Sequence, residues 1–289
     1  FNTTSLNLNS TSTATNGVIN VQGNTAVTNA VTVNFLQPGA ASALIATNGG
    51  AGVTNNINFN PINAGQITVT GGVGNANGLI NAGAGENVTY NGNGATNNDV
   101  TVNINQITGN NTGDGNVVAI TTVAGLTVGP FTSTGNAAFT ATGAGADIIT
   151  AGAINSGAGN LTLQAGSGAD ADVKLNNNVT TTGSLTVNSG AGAGSDVTLA
   201  NGVIVTGGVT NVTTPQLTTG TNANLIASTG DLDVQSNAGA LNVTLGAGST
   251  LVSTNSDVGF NRTTAGAITM TGGLGTLQSG GASPQVIFN

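Results

Sequence analysis

The sequence predicts an all-β chain wound as a parallel β-solenoid, and three observations carry that prediction. An apolar–polar–apolar triplet recurs at a spacing close to twelve residues, the segments between triplets are almost entirely Gly, Ala, Asn, Ser and Thr, and no stretch sustains an apolar stripe of helical period.

The triplet is clearest between Gly159 and Gly202, where LTL, VKL, LTV and VTL begin at Leu161, Val173, Leu185 and Val197. Further copies begin at Leu6, Ile19, Val31, Ile57, Ile67, Val88, Val100 and Leu126, and then at Leu232, Val243 and Ile268. Most gaps are near twelve, twenty-four or thirty-six residues, so the repeat is loose. Strict alternation means strands with one buried face. Leu161, Leu163, Val173, Leu175, Leu185, Val187, Val197 and Leu199 are therefore expected inside, and Thr162, Lys174, Thr186 and Thr198 outside. Lys174 tests the register, because its charge is costly in a narrow dry core. Between triplets, stretches such as AGSGAD and NSGAGAGS supply residues that tolerate positive φ at corners.

A parallel solenoid is the architecture whose natural signature is a repeated strand–turn unit. The alternative is a β-sandwich filament subunit, but strand lengths and loops vary more in sandwiches, and a core of that size usually carries Trp. A membrane β-barrel needs aromatic girdles, and this chain has no Trp and a single Tyr. About 24 residues per coil gives roughly twelve coils at about 4.8 Å per step; about 36 residues over three faces is also compatible. The expected organisation is one elongated domain over residues 1–289, less regular in 1–130 and more regular in 131–289.

The segments GNLTL, GSLTV and GDLDV, at Gly159, Gly183 and Gly230, resemble the repeat regions of large bacterial exoproteins of the filamentous haemagglutinin and autotransporter passenger type. The likeness is best over residues 130–289. It implies a parallel β-helix, export to the cell surface, and adhesion or fibre building.

Composition narrows the function. Charged residues are 4% of the chain, only Lys174 and Arg262 are basic, and the net charge is −8, which disfavours nucleic acid and anionic membranes as partners. The absence of Cys and His excludes disulfides and the usual zinc, haem and iron–sulfur ligand sets. The longest mostly apolar stretch, 117–131, is too short and too polar for a membrane helix. The chain opens at Phe1 without a charged n-region, so a signal peptide is expected to be already removed or to lie outside this sequence.

The sharpest local motif is G-x-G-x-D, ending at Asp147, Asp170 and Asp196. It is reminiscent of calcium-binding nonapeptide repeats, which makes these three aspartates the candidate metal ligands. Those repeats run in tandem nine residues apart, whereas here the spacing is 23 and 26; the plainer reading is turn residues, and calcium is expected to be dispensable. Asp170 with Asp172, and Asp231 with Asp233, place two carboxylates on one strand face. Without His or an aromatic platform they do not make a glycosidase or hydrolase, so no enzyme, cofactor or catalytic residue is expected. Sequons such as Asn160-Leu161-Thr162 and Asn178-Val179-Thr180 read as strand ends. The expected function is a structural protein of the extracellular cell surface, contributing to a fibre, sheath or layer and self-associating through its terminal strands, Ser5–Asn9 and Gln285–Asn289. The alternative is an adhesin for a glycan or protein, with Phe35, Phe59, Tyr90 and Phe131 as its scattered aromatics. A third reading is an ice- or surface-binding solenoid with a flat Thr rank built from Thr162, Thr186 and Thr198, a column interrupted by Lys174.

Overall fold

The computed structural model describes residues 125–289 throughout and, before them, the backbone of eleven strands between Asn9 and Thr121. Every strand pairing is parallel, and among the described residues there is no helix. The triplets from Ile19 to Val100 fall in strands, whereas Leu6–Leu8 and Phe35 lie outside the described residues.

From residue 148 onward each coil has three short strands. One coil runs through Val173–Leu175, Val179–Thr180 and Leu185–Asn188, which define the first, second and third faces. Leu161 pairs with Leu185 on the third face and Val173 with Val197 on the first, so a coil here is 24 residues long. The twelve-residue beat therefore reports two of the three faces, because the chain passes from third to first to third again. The second face escapes the triplet search: Val179–Thr180 and Ile154–Asn155 are two-residue strands with one inward side chain each.

Leu126–Ser133 shows how the second face arises. This eight-residue strand pairs at Leu126–Val128 with Ile148–Thr150 and at Phe131–Thr132 with Ile154–Asn155. One long strand below is thus continued above by two short ones, divided at a corner. The bend falls at Gly129-Pro130, where proline removes a ladder donor. Nearer the N-terminus the step is longer: Ile45 pairs with Asn9 and with Asn81, 36 residues away on either side. Both coil lengths compatible with the sequence are present, in different parts of the chain. Among the described residues the third-face ladder has eleven strands.

The core is one continuous cluster of mainly aliphatic side chains, with Phe131, Phe139 and Phe260 among them. The eight inward positions expected from the triplets, Leu161 to Leu199, are all at most 2% exposed, and Thr162, Lys174, Thr186 and Thr198 face outward. Phe131 packs edge-on against Phe139 with ring centroids 5.3 Å apart, so it is core and not a displayed aromatic. Thr162 and Thr186 are neighbours on the third face, while Thr198 lies beside Lys174 on the first. The Thr rank is thus split between two faces.

Turns stack as closely as strands. A Cβ on Gly159 would stand 2.0 Å from the carbonyl oxygen of Gly135, and one on Gly166 would stand 1.9 Å from that of Gly143. Glycine is required at both positions because backbone lies directly beneath. Buried corner hydroxyls pair with each other and with carbonyls, as in Ser189 Oγ donating to Thr214 Oγ1 at 2.8 Å.

Truncating Leu163, which is fully buried, to Ala is expected to cost about 2–5 kcal/mol. Thr162→Ala on the same strand should stay within about 0.5 kcal/mol. Urea denaturation of the two variants checks the register; equal losses would contradict it.

Candidate functional site

The residue just before a strand is repeatedly Asp or Asn, and its side chain acts as one more rung of the ladder. On the first face, Asp147 Oδ1 accepts the backbone N–H of Asp172 at 2.9 Å, and Asp172 Oδ1 accepts that of Asp196 at 3.0 Å. On the third face Asn136 Oδ1 accepts Asn160 N–H at 2.7 Å, and Asn160 Oδ1 accepts Ser184 N–H at 2.9 Å. Higher on that face, Asp231 takes Asp257 N–H at 3.2 Å and Asp257 takes Gln285 N–H at 2.9 Å. A strand ends where its backbone leaves the ladder, and these side chains supply the acceptor that the departing backbone no longer offers.

Stacking carboxylates one coil apart sets like charges close together, and the chain's two cations stand at such places. Lys174 Nζ lies 2.6 Å from Asp147 Oδ2 and 3.1 Å from Asp172 Oδ2. Arg262 Nη1 lies 2.7 Å from Asp231 Oδ2 and 3.2 Å from Asp233 Oδ1, with Nη2 3.9 Å from Asp257 Oδ2. The hydrogen bond to Asp147 holds the Lys174 ammonium above its ordinary pKa, against some opposition from burial. Asp231 is held below the ordinary carboxylate range, first by the Ser256 hydroxyl and then by Arg262 against burial. Burial raises Asp233, with Arg262 opposing it. The stability Asp231 contributes is present above its unfolded pKa of 3.8 and is lost as pH falls through its lower native value.

Asp196 stands at the top of the first-face column and differs from the others. Val197 pairs with Leu217, so the next coil is only 20 residues long, and Gln216 occupies the place above Asp196. The Gln216 N–H points to Thr214 Oγ1 at 3.3 Å instead of to the carboxylate below. Asp196 Oδ1 is buried with no hydrogen-bond partner. Burial, then the neighbouring Asp172 charge, push this carboxyl up to about 6 from 3.8. The cause is the turn. Residues 189–196 make a long corner between Leu185–Asn188 and Val197–Leu199, whereas only Thr214 and Pro215 connect Thr210–Thr213 to Gln216–Thr219. The missing residues leave a notch of about 250 Å³ between Ala191–Ser195 below and Ala238–Ala240 above, floored by Pro215 and Gln216.

The G-x-G-x-D motif separates into parts. Its second glycines, Gly145, Gly168 and Gly194, all have left-handed φ, at 68°, 98° and 85°. Two of its first glycines, Gly166 and Gly192, sit where a Cβ would strike the turn beneath. Asp147 and Asp196 stand in the column with Asp172, not Asp170, between them, at steps of 25 and 24 residues. Asp170 is exposed on the turn with φ 55°, and its carboxylate lies beside Gly194. The sequence signal for Asp172 was the coil-length spacing itself. The Asp231–Asp233 pair is brought under one guanidinium, and the side chains of the two quoted sequon asparagines, Asn160 and Asn178, each accept a backbone N–H one coil above. Among the described residues, no group of three or more Asp or Glu side chains is arranged to hold a metal ion.

No family model, no curated protein and no solved structure matches the chain.

The geometry gives each aspartate a different expected cost. Lys174→Met leaves Asp147 and Asp172 facing each other and should destabilise by about 1–2 kcal/mol, a modest figure because the lysine side chain is 38% exposed. Asp170→Asn should fall within about 0.5 kcal/mol. A chelator should leave the unfolding midpoint unchanged, and a large drop in thermal melting would identify a cation among Asp147, Asp170 and Asp196.

Proposed function

We propose that this chain is a structural component of an extracellular surface fibre, sheath or layer, joined to its neighbours through strand edges. The observation that carries the reading is the parallel stacking itself: on the third face the ladder runs from Leu161 through Leu185, Thr210 and Leu232 to Val258 without a change of direction. Each coil thus presents the same backbone edge as the one below it, an edge of that kind is a template for another layer of backbone, and such contacts propagate because a head-to-tail surface does not close on itself.

The solenoid and its Gly-flanked L-x-L and L-x-V strands support placing the chain with exoprotein repeats of the filamentous haemagglutinin and autotransporter passenger type. Export and a surface location follow from that placement. A protective role suits the surface, since two basic residues leave trypsin-like proteases little to cut. The proposal contains no catalytic step: of the carboxylates that the fold gathers, Asp147, Asp172, Asp231 and Asp257 are engaged by backbone N–H groups and the two cations. The notch beside Pro215 favours one competing reading, an adhesin that holds a small ligand there.

Negative-stain microscopy of the purified chain tests the assembly. Filaments are expected, and Phe288→Glu or deletion of residues 1–10 should abolish them while the far-UV β signal persists. A wild-type chain that stays monomeric at high concentration overturns self-assembly, and binding of a glycan by isolated rods would put the adhesin first. If filaments form but vanish when the chain is extended by further coils, the edge is an intramolecular junction and not a polymer contact.

A further inference from the structure

We propose that Asp172 and Asp196, at the interrupted end of the first-face column, form a proton-operated lock: a single proton shared by the two carboxyl groups closes the rung that the shortened turn leaves open. The inference concerns the cohesion of the coil stack and does not depend on the assembly reading above.

The geometry is that of a ladder stopped one donor short. Asp147 and Asp172 each receive the N–H of the aspartate above. Asp196 has Gln216 above it, whose N–H is turned to Thr214 by the two-residue connection. A buried carboxylate oxygen is left without a partner, a situation that favours the protonated acid. The charged groups around it are few. From below come Asp172, then Lys174 and Asp147; Asp170 lies beside Gly194 on the adjoining turn; from above come Gln216, Leu217 and Thr218, which carry no charge. Lys174 pairs with Asp147 and Asp172 at 2.6 and 3.1 Å, and among the described residues no ion pair reaches Asp196. The proton, taken from solvent, therefore resides on Asp196, the carboxyl with the unpartnered oxygen, and is donated to Asp172. No bond other than that O–H is made or broken.

The sign follows from the native value of about 6 against 3.8. Folding takes up a proton in this interval, so stability contributed by the pair is fully present below about 3.8 and is lost as pH rises through about 6. The stack should be tighter at pH 5 than at pH 8, opposite to the behaviour of Asp231.

Thermal and urea denaturation between pH 5 and pH 8 test the lock on the full chain. The wild type is expected to melt roughly 5 °C higher at pH 5 than at pH 8. Asp196→Asn, whose amide supplies the missing donor at every pH, is expected to melt at least as high as the wild type at pH 8 and to lose most of the pH dependence. A variant that keeps the wild-type slope overturns the proposal, since the slope then belongs to other carboxylates such as Asp233. A wild-type midpoint that does not move between pH 5 and pH 8 also overturns it. The third readout needs no variant: a carboxyl ¹³C titration should show a midpoint near 6 for Asp196, and a midpoint at or below 4 refutes the shared proton.

Discussion

Each coil rests on the coil below at the separation of two hydrogen-bonded strands, about 4.8 Å. That single spacing governs the corners as strictly as the faces. Strand residues satisfy it by pairing N–H with C=O. Corner residues satisfy it only where nothing stands between one backbone and the next, which is why a Cβ at Gly159 or Gly166 would meet a carbonyl oxygen near 2 Å. The abundance of glycine is therefore a consequence of stacking as much as of turning. The same spacing explains the Asx rungs: an Asp or Asn side chain is the right length to carry a hydrogen bond from a strand's end to the coil above.

The electrostatics follow from the stacking. Equivalent positions superimpose, so any acidic residue that recurs at coil length is brought against its own copy. Asp147, Asp172 and Asp196 form one such column, and Asp231 and Asp257 a second. Lys174 and Arg262, the only basic residues in the chain, stand one at each column. A composition with 4% charge thus looks featureless in sequence and is locally organised in space. Among the described residues the organisation fails at Asp196, and it fails because the turn above is too short to present a backbone donor.

Much of the fold was legible in the sequence, for a physical reason. In a half-buried strand the inside–outside alternation is written directly into residue type, so Leu161 through Leu199 and the outward Lys174 could be placed before any coordinates. The second face was not legible. A strand such as Val179–Thr180 buries one residue, and one apolar residue has no period. The candidate site was read less well. The G-x-G-x-D motif drew attention to Asp170, while the aspartate that joins the column is Asp172. Local motifs count along the chain, whereas a solenoid counts around the coil, and the two-residue offset between them is invisible until the coil length is known. The isolation of Asp196 is a property of the coil above it and has no signature in its own neighbourhood.

The ladders also set how the molecule would yield to force. The inter-strand hydrogen bonds lie along the stacking direction, so tension on the chain strips the stack one coil at a time and leaves the remaining coils intact. A coil of 24 residues, once pulled straight, releases roughly 80 Å of chain, and the coil spanning Val197 to Leu217 releases less. The record of such an extension would be a staircase whose step lengths report coil length, 36 residues at Ile45, 24 at Leu185 and 20 at Leu217, the last a mechanical trace of the deleted corner.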